Sequence, residues 1–238
     1  MKRIALGIIV LCLSLVFSGA AFAYPALQLY IEGSTYDTAT QTWVIDSSNF
    51  KLLVLGDVGH DGNIFDVKLT AARPTGEDGT ITFTPTTATA TLLTDPTPSS
   101  NPAVYSALLD TVGTIPLDGE SNPLPSHSIY GAGTTWTGYT LGNFTETNSQ
   151  IGDFTTGTIP PSEYRYNGQI NAYDVAVTGY SWVHFDAFDH IFLSENNAKY
   201  VFAPFSHDAE TGSPVPEPAT MALLGMGVLG LFGLKSKK

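Results

Sequence analysis

The chain has a single cysteine, Cys12, and it lies in the leading apolar segment rather than in the body of the protein. Once that segment is removed no disulfide can staple the fold, so stability must come from an apolar core and a hydrogen-bonded sheet. Basic residues are nearly as scarce. Between Tyr24 and Ser213 only Lys51, Lys68, Arg73, Arg165 and Lys199 stand against 21 Asp and Glu, a net of −16. A surface this acidic repels a polyanionic backbone and anionic lipid, which excludes nucleic acid as a partner. Helix-favouring Lys, Glu and Arg are few, and no long amphipathic stretch occurs. A Gly-x-Ser-x-Gly elbow is missing as well. Ser206-His207-Asp208 is contiguous, whereas catalytic Ser, His and Asp converge from separate segments. No enzymatic constellation emerges.

What remains is rich in threonine, with Gly, Pro, Asn and Asp between short apolar runs, a composition of strands and turns. Leu27, Leu29 and Ile31 alternate in a first strand, and Thr42 to Ile45 forms a second. Phe50 to Leu55 and Ile64 to Ala71 read as a pair joined by a long hairpin loop, Gly56 to Asn63. Thr80 to Thr84 is a strand, and Thr86 to Leu93 leans the same way. Ala103 to Leu109 suits a helical turn. Trp136 to Thr145 is a strand. Tyr173, Val175 and Val177 line one, Gly179 and Tyr180 turn the chain, and Val183, Phe185 and Ala187 face inward with His184 and Asp186 outward. Tyr200 to Phe205 closes the domain. The expected fold is all-β, an antiparallel β-sandwich over residues 24–208, followed by a polar linker over 209–214.

Both ends read as addresses. Lys2 and Arg3, an apolar stretch from Ile4 to Phe17, and Ala21-Phe22-Ala23 form a signal peptide over 1–23, with cleavage between Ala23 and Tyr24. At the other end Val215, Pro216, Glu217 and Pro218 precede an apolar run over 219–234 and the basic residues Lys235, Lys237 and Lys238. The prolines hold their segment extended. The run is expected to be a transmembrane helix of about 24 Å, anchored on the cytoplasmic side by the lysines. Gly225-Met226-Gly227-Val228-Leu229-Gly230 matches a dinucleotide fingerprint in letters only. It follows no strand and sits in the apolar run.

Residues 215–238 resemble the PEP-CTERM sorting signal of Gram-negative bacteria. The resemblance implies an exosortase, a membrane-embedded transpeptidase, acting at or near Pro216-Glu217-Pro218, and delivery to the cell surface or extracellular matrix. The body of the chain resembles the choice-of-anchor N proteins at Pro25 to Ile31, Pro125 to Gly131 and Ala203 to Ala209. That family carries no activity to transfer and implies a displayed, non-enzymatic domain.

Asp57, Asp61, Asn63 and Asp66 place hard oxygen donors on a glycine-punctuated loop and are candidate Ca²⁺ ligands. An EF-hand register fails, because the closing acid falls on Lys68 or Ala72, and a solvated loop of turn formers is the preferred reading. His184 and Asp186 share a strand face, with Asp189, His190, His207 and Asp208 as further metal donors if the fold gathers them. An outward polar face is preferred there. Trp43, Trp136 and Trp182 either stack on sugar rings or fill the core. The expectation is a non-enzymatic surface or matrix protein without a cofactor. Its partners would be an exosortase and, before processing, the membrane. The alternatives are a binding module for extracellular polysaccharide and an extracellular hydrolase.

Overall fold

The computed structural model describes residues 27–38, 40, 42–86, 106–107, 111–117, 123–124, 130–131, 133–152, 166–194, 197–203 and 208–212. The signal peptide, its Ala23–Tyr24 junction and the tail 215–238 lie outside these residues. Among the described residues no helix is long and apolar enough to cross a membrane.

The described residues form two sheets. The first contains β1 (Leu27–Ile31), β4 (Asn49–Gly56), β11 (Tyr166–Thr178) and β10 (Ser149–Ile151) in that order, with β6 (Thr80–Thr86) also paired to β11. The second runs β2 (Thr35–Asp37), β3 (Thr42–Ile45), β14 (Asp208–Gly212), β12 (Trp182–Ser194), β5 (Ile64–Pro74), β9 (Thr134–Phe144) and β7 (Ser106–Ala107). Here β13 (Asn197–Phe202) pairs with β12, and β8 (Thr111–Val112) with β9. A four-residue helix, α1 (Val58–Asp61), links β4 to β5. The pairings are antiparallel except for β3 with β14, which run parallel.

Period-two alternation determines what the sheets share. Leu27, Leu29 and Ile31, Phe50, Leu52 and Val54, and Tyr173, Val175 and Val177 turn one face of the first sheet inward. Val67, Leu69 and Ala71, Tyr139 and Leu141, and Val183, Phe185 and Ala187 meet them from the second. The all-β expectation therefore holds, with two mostly antiparallel sheets over one core.

Four local expectations are corrected. Strands β4 and β5 are not a hairpin: β4 lies between β1 and β11, and β5 between β12 and β9 in the other sheet. The reason lies in β4 itself. Its second apolar set, Leu53 and Leu55, packs with Tyr30, Trp43, Ile151, Ile170 and Ala172 on the far side of the sheet, so the strand is covered on both faces. The segment expected to hold a helical turn contributes the short strand β7 through Ser106 and Ala107. The linker expected from 209 is, as far as Gly212, the buried strand β14. Finally, that strand's parallel pairing with β3 breaks the purely antiparallel pattern.

Candidate functional site

Strand β12 alternates strictly. Val183, Phe185 and Ala187 enter the shared core, so Trp182, His184, Asp186 and Phe188 must occupy the opposite face. Its neighbours continue that face. His184 pairs with Glu210 of β14 and with Ala72 of β5, and Asp186 pairs with Thr70 of β5. Phe185 pairs with Ala209, so Asp208 falls beside Asp186 one step further along.

This face was expected to be wet, and it is not. His184 is fully buried, Asp208 and Glu210 are nearly so, and Asp186 is 9 % exposed. Tyr130 lies over the imidazole with ring centroids 4.5 Å apart and an interplanar angle of 34°. Trp136, Ala72, Ile115 and Trp182 pack beside Tyr130 and complete the cover.

Three carboxylates converge on the one imidazole. Nε2 of His184 is 3.5 Å from Asp186 Oδ1 and 3.7 Å from Asp208 Oδ2, and Nδ1 is 3.3 Å from Glu210 Oε2. The Tyr130 hydroxyl donates to the same Glu210 oxygen at 2.6 Å. Asp186 and Glu210 meet no lysine or arginine among the described residues. Two buried oxygens on this face, Asp186 Oδ2 and Thr70 Oγ1, have no hydrogen-bond partner among the described residues.

Electrostatics follow from this crowding. Burial opposes charge on His184, but Asp186, Glu210 and Asp208 outweigh it and push the imidazole up to about 10. Burial, together with repulsion from Asp186, raises Asp208 well above the usual carboxylate range, against the pull of His184. Tyr130 is driven far above the ordinary phenol value by burial and then by Glu210.

His184, Asp186 and Asp208 are also the set whose donor atoms lie within 4.8 Å of one another, among the described residues. One imidazole nitrogen and two carboxylates form a mixed N/O donor set of the kind that holds divalent transition metals. The alternation of His184 and Asp186, and Asp208 as a further donor, were legible in the sequence. Glu210 was missed because 209–214 read as a linker. Had Asp208-Ala209-Glu210 been read as a strand, period two would have put both acids on one face. Tyr130 had no sequence signal.

Asp57 is buried at the entry to α1. Asn63 is exposed. The side chain of Asp61 lies outside the described residues, as do those of Asp189 and His190, and so does His207 entirely. Asp66 is exposed and sits at a register break of β5 with φ of 53°, its N–H donating to Asn143 Oδ1 at 2.9 Å. Trp43 and Trp136 are buried and Trp182 is partly so, which favours the core reading of the tryptophans.

Residues 214–238 match the PEP-CTERM protein-sorting motif. The motif implies an exported protein, an exosortase as its processing partner, and a surface or extracellular destination. No curated protein matches the chain. The resemblance of the body to choice-of-anchor N proteins has no support from these comparisons.

Proposed function

We propose that the chain is a non-enzymatic surface or matrix protein whose β domain is the cargo and whose last two dozen residues are the removable address. In this reading residues 219–234 lodge in the membrane, Lys235, Lys237 and Lys238 fix orientation, and Val215 to Pro218 offer the extended segment an exosortase cuts. The matched motif carries the proposal. The short reach from Gly212, the end of β14, to residue 214, the start of the motif, supports it: the folded domain and the address adjoin. A cargo role is also supported by the burial of the histidine–carboxylate cluster beneath Tyr130.

Mass spectrometry of surface-located protein tests this reading. The expected C-terminus lies near Pro216-Glu217-Pro218, and an intact Lys238 would overturn it.

A second reading, polysaccharide binding, has one structural foothold. An open cleft of about 430 Å³ is lined by Asp46, Ser47, Ser48, Tyr180, Ser181 and Thr211, a hydroxyl-rich wall with one ring. A glycan array probed with the exported protein decides it, since absence of binding removes this reading.

A further inference from the structure

Strand β14 is an improbable interior strand on its sequence alone. Asp-Ala-Glu-Thr-Gly is built mostly from residues depleted in strands, yet it lies between β3 and β12 with four of five positions buried. Two of those positions are carboxylates, and β12 adds a third through Asp186. A buried carboxylate is tolerated only when it is paired, neutralised or bound to a metal. Among the described residues, His184 is the basic side chain that Asp186 and Glu210 meet, so this face gathers three acids around one imidazole.

The spacing indicates how the balance is restored. Nε2 of His184 is too far from Asp186 and Asp208 to donate a well-formed hydrogen bond to both, at 3.5 and 3.7 Å. Zinc bonds of about 2.0–2.2 Å to nitrogen and oxygen place tetrahedral ligands about 3.3–3.6 Å apart. Glu210 lies on the other side of the ring, 3.3 Å from Nδ1, where a carboxylate can orient the imidazole of a metal-ligating histidine. Tyr130 in turn holds Glu210. A further pointer to a ligand is Thr70, the register partner of Asp186. Its buried hydroxyl oxygen and Asp186 Oδ2 are both unsatisfied among the described residues.

We propose that His184 Nε2, Asp186 and Asp208 form a structural binding site for a divalent transition-metal ion of the Zn²⁺ class, with Glu210 orienting the imidazole. A nitrogen ligand argues against Ca²⁺ and Mg²⁺, which take oxygen donors. All three protein ligands are buried, which suits a structural role, with the Thr70 hydroxyl or a water taking the fourth position, and that role is to fasten β14 to β12. Because β14 ends at Gly212, the ion fastens the strand that leads directly into the sorting motif. Metal occupancy thereby ties folding of the cargo to the presentation of its address.

The test uses the full chain, purified in detergent, stripped with chelator and titrated with Zn²⁺, Ca²⁺ or Co²⁺. One equivalent of Zn²⁺ should bind. At about one hundred times the dissociation constant it should raise Tm by about 5–10 °C. Calcium should do neither, and Co²⁺ should give the intense visible bands of a four-coordinate site. Asp208→Asn should abolish stoichiometric binding, and Glu210→Gln should weaken it about 10–100-fold. Should either variant fail to fold, the Zn²⁺ stoichiometry and Co²⁺ spectrum of the unaltered protein decide the matter. Absence of stoichiometric Zn²⁺ binding, preference for Ca²⁺, or full affinity in folded Asp208→Asn would overturn the proposal.

Discussion

Asp186 and Asp208, on adjacent strands of the second sheet, both contact the same atom, Nε2 of His184, at 3.5 and 3.7 Å. Twenty-two residues separate them in sequence, and one antiparallel pairing brings them together. The pairing of β12 with β14 therefore creates the most highly charged buried place in the described structure, and stability there should depend on protons and on metal.

The pH response of metal-free protein follows directly. His184 is raised from its ordinary 6.5 to about 10 in the folded state. The folded chain therefore holds a proton that the unfolded chain has released, and stability falls as pH rises through that interval. The contribution is fully present below about pH 6.5 and gone above about 10. Asp208 is raised too, by burial first and then by Asp186, so its effect has the same sign. In chelator, Tm should drop between pH 6.5 and 10, and His184→Gln should flatten that slope.

Phe83 packs edge-on against Tyr139, Tyr173 and Phe185, with centroids at 4.8, 6.1 and 6.0 Å, and so joins both sheets from the edge strand β6. Phe83→Ala should cost about 3–5 kcal/mol, read from the urea midpoint at unchanged slope.

Gly179 turns the chain between β11 and β12 with φ of +77°, and an added Cβ would strike the backbone of Asp78 and Gly79. Gly33 has a similar φ but open space around it. Gly179→Ala should therefore destabilise clearly more than Gly33→Ala, whose cost is that of the left-handed backbone alone, about 1–2 kcal/mol. Thermal melts of the two variants compare them.

Gln169 accepts from the N–H groups of Thr145 and Glu146 at 2.8 and 3.0 Å and donates to Asn171 at 3.0 Å. Removing it orphans two backbone donors at the end of β9. Gln169→Ala should cost about 1–3 kcal/mol and raise amide exchange at Thr145 and Glu146.

In the tail, replacing Pro216, Glu217 and Pro218 together with alanine should leave the domain folded but block processing. A species that keeps the C-terminal tail should accumulate in the membrane fraction, as an immunoblot against the β domain would show.

Strand content was readable because burial on one face imposes a period of two. Val67, Leu69 and Ala71, and Val183, Phe185 and Ala187, all turn inward as their alternation requires. Partners were less readable. Strands β4 and β5 are neighbours in sequence and both strongly apolar, yet they entered different sheets. Alternation states that a strand has a buried face, not which strand lies beside it. The candidate site shows the same division. His184 and Asp186 were placed on one face correctly, but that face was expected to be wet because polar residues line it. Tyr130 and β14 cover it, and neither contact is local in sequence.

The sequence by itself determined the strand-rich class, the inward sets Leu27, Leu29 and Ile31, Tyr173, Val175 and Val177, and Val183, Phe185 and Ala187, and the sorting motif at 214–238, because periodicity and a contiguous signal are properties of neighbouring residues. Only the tertiary structure decided the sheet order, the parallel seam between β3 and β14, and the enclosure of His184 by three acids. Those rest on pairings between segments up to about 170 residues apart, where the energy lies in mutual burial and register rather than in any local preference.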